Sequence, residues 1–179
     1  MKQRNLIFST ILRTFLFITL FSTFTSCVVK EDDEIPIDED ITFQVNLLKI
    51  TGIEIKEAEG ETLEIYGTIS SKRVNGNVTE ENILWSKNDT EAIAVGLSDY
   101  PLMASNTYTV TASELTNSNL VVVADLFDYD GGGNNAPEDL GKEELSIPLS
   151  NVTSSVTYQI VLNDSGGQHI RVTYSITRL

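Results

Sequence analysis

Residues 119–127 read NLVVVADLF, and Asp128, Tyr129 and Asp130 follow at once. The run is valine-rich, short and without a helical period, the pattern of a central strand buried on both faces. Outward from it, apolar and polar residues alternate in short blocks. They are TFQVNLLKITGI (42–53), TLEIYGTISS (62–71), ILWSK (83–87), EAIAVG (91–96), NTYTVTA (106–112), EELSIPLS (143–150), VTYQIVLN (156–163) and HIRVTYSIT (169–177). Gly, Asn, Asp and Ser separate the blocks, as turn residues do. In RVNGNV (73–78), Asn75-Gly76 reads as a hairpin turn whose two positions both need positive φ.

Eight or nine strands with no convincing helix predict an all-β domain, an antiparallel eight-stranded β-sandwich. Its expected core is Leu63, Ile65, Ile69, Leu84, Trp85, Val121, Val123, Leu145, Ile147, Ile160, Leu162, Val172, Tyr174 and Ile176. Trp85, the one tryptophan, reads as core filler, although a strand-end Trp also serves as a carbohydrate platform. Residues 42–179 form a single domain of ordinary size.

The chain begins differently. Lys2 and Arg4 precede an apolar run that Arg13 interrupts and that ends TFTSC at Cys27. A basic start, an apolar stretch and small residues before a cleavage point describe a secretory signal over residues 1–26. The alternative is an uncleaved anchor helix, since the run has about the length of a membrane span. The segment resembles a bacterial lipoprotein signal, cut before a cysteine that then carries lipid, palmitate included. Phe24 stands where that pattern has Leu. Lipid on Cys27 also removes the oddity of a lone thiol in an oxidising compartment.

Residues 27–41 continue CVVKEDDEIPIDEDI, a stretch too acidic to bury itself and expected to be a flexible tether. It resembles the acidic export signal behind the lipidated cysteine of Bacteroidota surface lipoproteins. That resemblance implies an outer-membrane, cell-surface location. A simple solvated spacer is the other reading. Residues 1–26 hold three of the 12 basic residues and none of the 26 acidic ones, which leaves 9 against 26 and a formal charge of −17. Such a surface argues against nucleic acid, and against direct adsorption to anionic lipid unless calcium intervenes.

DLFDYDGGGNNAPEDLG (125–141) crowds carboxylates around one Gly/Asn loop. Side chains Asp125, Asp128, Asp130, Glu138 and Asp139 are candidate ligands of a calcium ion, which takes 6–8 oxygens. A solvated acidic turn is the competing reading. An EF-hand is rejected, because the fifth loop position is Gly132 and no helices flank the loop.

Residues 119–178 resemble the later strands of a C2 domain. The resemblance rests on Asp128-Tyr129-Asp130 after the apolar strand, on Glu138-Asp139-Leu140-Gly141, and on Leu145, Ile147 and Leu149. It implies a C2-like sandwich that holds Ca2+ between loops at one end. The partner loop of that family would fall in EAEGETLEIYG, where Glu57, Glu59 and Glu61 replace the family's aspartates. Asp99 is a further carboxylate that the sequence does not place.

Enzymatic readings find little support. His169 is the only histidine, and no G-x-S-x-G, zinc-ligand cluster or phosphate loop occurs. Paired carboxylates can cleave glycosides, but a sandwich of this size leaves little room for a cleft. The expectation is a non-enzymatic, lipid-anchored binding module whose partner is an envelope protein, a glycan or a lipid. The alternative is a metal-free assembly lipoprotein.

Overall fold

Residue 120 begins a strict alternation that organises the domain. The computed structural model describes residues 38–56, 62–129 and 138–179. Nine strands run in chain order: β1 (Asp40–Glu54), β2 (Leu63–Asn75), β3 (Val78–Lys87), β4 (Ile93–Val95), β5 (Tyr100–Thr111), β6 (Ser118–Asp128), β7 (Glu138–Pro148), β8 (Val156–Asn163) and β9 (His169–Arg178). Every pairing is antiparallel. The first sheet has the order β5-β1-β9-β8 and the second β3-β2-β6-β7. The short β4 pairs with Leu63–Ile65 of β2, past the end of β3, so both share one edge. The expected sandwich of eight strands is therefore present, with a three-residue ninth. Several strands start earlier than their apolar blocks: β5 at Tyr100 and β7 at Glu138.

The 119–127 run is indeed covered on both faces, but its faces are the reverse of those expected. Leu120, Val122, Ala124 and Leu126 point between the sheets and are fully buried. Val121 and Val123, expected in the core, lie on the outer face, yet are only 6% and 8% exposed. They pair in register with Lys72 of β2 and Glu144 of β7. The ion pair between those two side chains (3.5 Å) crosses over β6. Long charged side chains thus cover outer-face valines with their stems. Trp85 and Leu145 pack against the core but are only partly buried.

The hairpin between β2 and β3 also turns one residue later than expected. Asn75 and Val78 form the closing pair, so the loop is Gly76-Asn77. Only Gly76 has positive φ (56°). Glycine at the first loop position is the preference of a type II′ turn, which asks nothing unusual of the second.

Hydrogen bonds join the two sheets. Tyr108 of β5 reaches across, its hydroxyl donating to the Ser71 carbonyl of β2 (2.6 Å) and lying 2.8 Å from Ser71 Oγ. At the far end the Gly52 N–H of β1 donates to the Gly96 carbonyl beyond β4 (2.9 Å). The domain boundary also moves: Asp38 and Glu39, expected in the tether, are fastened to the sandwich. The Ser113 N–H donates to Asp38 Oδ1 (3.0 Å), and the Ala112 N–H to the Glu39 carbonyl (2.8 Å).

Gly67 sits where β2 crosses closest to β6. Its φ is 121°, and a Cβ there would lie 2.3 Å from the Asp125 carbonyl oxygen and 3.0 Å from Leu126 Cα. Those are backbone atoms and cannot swing away. Gly67→Ala should therefore destabilise the domain by about 2–5 kcal/mol, the sum of the left-handed backbone cost and overpacking. Urea unfolding of the variant measures it, and an unchanged midpoint would refute the tight β2–β6 approach.

Candidate functional site

The antiparallel order brings the ends of β1, β4, β6 and β8 and the starts of β2, β5, β7 and β9 to one end of the sandwich. The described residues that bound segments 57–61 and 130–137 lie there. The chain enters at the opposite end, through Asp38 and the start of β1.

Asp128 is two residues beyond Leu126, so it continues the inner face and closes the core at the loop end. It is fully buried, and its Oδ1 accepts the Glu64 N–H (2.7 Å). The Tyr129 N–H donates to the Glu64 carbonyl (2.9 Å). Glu138 pairs with Asp128 in register, which puts both carboxylates on one face. Asp125 is an odd number of residues from Asp128 and so lies on the other face, 3.1 Å from Lys142 Nζ. Asp139 pairs with Phe127 and is exposed, its Oδ1 accepting the Gly141 N–H (2.8 Å) at a bulge where Gly141 has positive φ. Asp130 and Cys27 lie outside the described residues, as do Glu57, Glu59 and Glu61. Asp128 and Glu138 are thus brought together, while Asp125 and Asp139 are not joined to them. Among the described residues no group of three or more His, Cys, Asp or Glu side chains gathers to hold a metal. Among the same residues no helix is long and apolar enough to cross a membrane.

One residue of this end was not among the candidates. Gln168 is 5% exposed, and its Nε2 donates to Glu138 Oε2 (2.9 Å). Its Oε1 is buried with no hydrogen-bond partner. A tight turn holds it: the Gln168 N–H donates to Asp164 Oδ1 (2.6 Å) and the Asp164 N–H to the Gln168 carbonyl (3.1 Å). The sequence carried a signal, because Gln168 keeps step with Ile170, Val172 and Tyr174, the inward residues of β9. A carboxylate pair beside a side-chain carbonyl is a set of oxygen donors suited to a hard cation.

The surrounding charge is negative. Tyr66 and Phe127 stack on the outer face with centroids 5.3 Å apart. The Tyr66 hydroxyl titrates above its ordinary value, first through desolvation and then through the charges of Asp89, Asp128 and Asp139. Asp99 is engaged elsewhere, with Lys49 Nζ at 2.5 Å and Thr51 Oγ1 at 2.7 Å. His169 opens β9 with its Nε2 3.9 Å from Glu54.

No family model matches the chain, and no curated protein matches it. Solved structures do. The chain is similar to a C2 domain of plant extended synaptotagmin 1, at 10% identity over 77% of this chain and 93% of that one, with a TM-score of 0.40. It is similar to human GIVD cytosolic phospholipase A2 at 7% identity over 79% of this chain but 17% of that one, with a TM-score of 0.41. A chain of the Cry23Aa1 and Cry37Aa1 binary protein complex matches at 21% identity over 77% of this chain and 96% of its own, with a TM-score of 0.35. All three scores are below 0.5, so the sheet order and registers above define the fold, and no ligand is carried across.

Two carboxylates give the domain an acid sensitivity of known sign. Asp38 titrates below its ordinary 3.8, chiefly because the Ser113 hydroxyl and N–H donate to it. Asp99 does so chiefly because Lys49 and then Thr51 donate to it. Between folded and unfolded values the unfolded chain binds more protons, so stability rises with pH there. The contribution is complete above the unfolded value and is lost as pH falls through the folded one. Urea midpoints measured from about pH 6 to about pH 2 should fall below about pH 4, and less steeply in Asp99→Asn. An identical slope in that variant would remove Asp99 from the account.

Proposed function

We propose that this chain is a lipid-anchored β-sandwich binding module of the bacterial cell envelope whose loop end orders around calcium to contact an envelope protein or a glycan. The observation that supports it most is the pairing of Asp128 and Glu138 on one face beside Gln168, at the end where segments 57–61 and 130–137 begin and finish. Those segments carry Asp130, Glu57, Glu59 and Glu61. Calcium accepts both carboxylates and side-chain carbonyls, so Gln168 Oε1 joins the donor set. Adjacent carboxylates repel one another until a cation sits among them.

Lipid on Cys27 attaches the chain through Asp38, at the end of the sandwich away from this set. The module then presents its acidic end outward from the outer membrane, towards partners other than the bilayer that holds it. Replacing Cys27 with Ser should move the protein from the detergent phase to the aqueous phase and abolish lipid-bearing peptides in mass spectrometry. Retention of lipid in that variant would overturn the anchor, and protease treatment of intact cells reads surface exposure.

Calcium is tested by thermal and urea unfolding of residues 28–179. Binding to the folded state alone adds about 2.7 kcal/mol at a free concentration one hundred times the dissociation constant. Glu138→Gln, at an exposed position, should reduce that gain. No rise in melting temperature at millimolar calcium sinks the calcium reading.

That outcome would favour a metal-free assembly lipoprotein. Met103 on the edge strand β5 is completely exposed. With Leu48 and Pro101 it lines a mostly apolar cleft of about 510 Å³ where both β1 and β5 leave register. An edge strand with such a cleft suits a protein partner.

A further inference from the structure

The outer face of the second sheet departs from an ordinary solvated surface. Val123 and Ser70 are buried there, and they form the floor of a groove of about 290 Å³. One wall is the Lys72–Glu144 ion pair (3.5 Å) and the other the Lys142–Asp125 pair (3.1 Å). Ser70 Oγ donates to Glu81 Oε1 (2.8 Å), fixing a third carboxylate at the rim. Two residues further along the same face, Tyr66 and Phe127 stack in register. At about 3.3 Å per residue that aromatic pair lies roughly one sugar ring beyond Asp125.

These parts select a ligand chemistry. Donors and acceptors alternate around the groove instead of forming a patch of one sign. Two of the nine basic residues of the mature chain lie in its walls, each already paired with a carboxylate. Neither a polyanion nor a polycation gains from such a site. A hydroxyl both donates and accepts, so vicinal hydroxyls satisfy an ammonium and a carboxylate at once. The aromatic pair offers apolar contact to the C–H face of a ring. The volume is just below the about 300–1,000 Å³ of sites for larger small molecules, which limits it to one or two rings.

We propose that this groove binds a neutral glycan, with Lys142, Asp125, Lys72 and Glu144 on its hydroxyls and Tyr66–Phe127 supporting a ring. The site is on a different face from Asp128 and Glu138 and does not need calcium. It is tested with the chelator present, so its outcome is independent of the calcium titration.

The probes are neutral oligosaccharides of glucose, mannose, galactose and N-acetylglucosamine, added at millimolar concentration to isotope-labelled residues 28–179. Backbone amides of Ser70, Val123 and Asp125 should shift with at least one of them. The double variant Asp125→Ala, Lys142→Ala removes two surface side chains and should keep the wild-type spectrum elsewhere while weakening binding by at least about tenfold. Absence of shifts with all four sugars overturns the proposal. So do shifts confined to residues outside the groove, and so does a response to inorganic phosphate alone, which would mark an anion site at the lysines.

Discussion

The two-residue period of β6 is the constraint on which the rest of the molecule depends. Leu120, Val122 and Leu126 face inward, and each fully buried side chain of that size contributes about 1.5–3 kcal/mol. Together they rival the whole net stability of a domain, about 5–15 kcal/mol. A slip of one residue would turn all three outward. Val121 and Val123 would offset part of the loss, but Asp125 would then enter the core unpaired, and burying a charge without its partner costs more than the valines return. Gly67 enforces the same register from β2, since only a residue without Cβ allows the strand to approach the Asp125 carbonyl so closely.

That period also sorts the carboxylates. Asp125 and Asp128 are three residues apart in a strand, so they cannot share a face, and the structure gives them different work. Asp125 neutralises Lys142 over the outer face, while Asp128 closes the inner one and caps the Glu64 amide. Spacing that reads as a cluster along the sequence is thus split by the sheet. The bulge at Leu140 performs the converse task. It lets Leu140 fill the core while Glu138 stays opposite Asp128.

Much of this was legible in the sequence because alternation reports directly on half-buried strands. The nine blocks and the hairpin near Gly76 follow from it. What could not be read is instructive. A run apolar at every position, such as Leu120–Val123, carries no parity, so nothing within it corrected the choice of Val121 and Val123 for the core. The answer lay in partners distant in sequence, Lys72 and Glu144, whose stems shelter the outer valines. Asp99 was unplaced for the same reason, because its partners Lys49 and Thr51 belong to β1. Gln168 was the reverse case. The alternation of β9 put it inward, but the apolar block was begun one residue later, at His169.

The polarity of the domain follows from its strand directions. The chain enters beside Ser113 and Glu114, where Arg73 meets Glu80 and Glu114, while Asp128, Glu138 and Asp139 lie at the other end. The ends are separated by the length of β1, 15 residues or roughly 45 Å at a strand's rise. That distance is several times the Debye length of about 8 Å at physiological salt. On the anchoring proposed above, a negative surface beneath the entry end would exert little force on the other end while the module stood upright. In the proposed setting it would repel that end whenever the module tilted towards the bilayer. On the anchoring proposed above, a sandwich of this charge holds its oxygen donors where a partner outside the membrane can reach them.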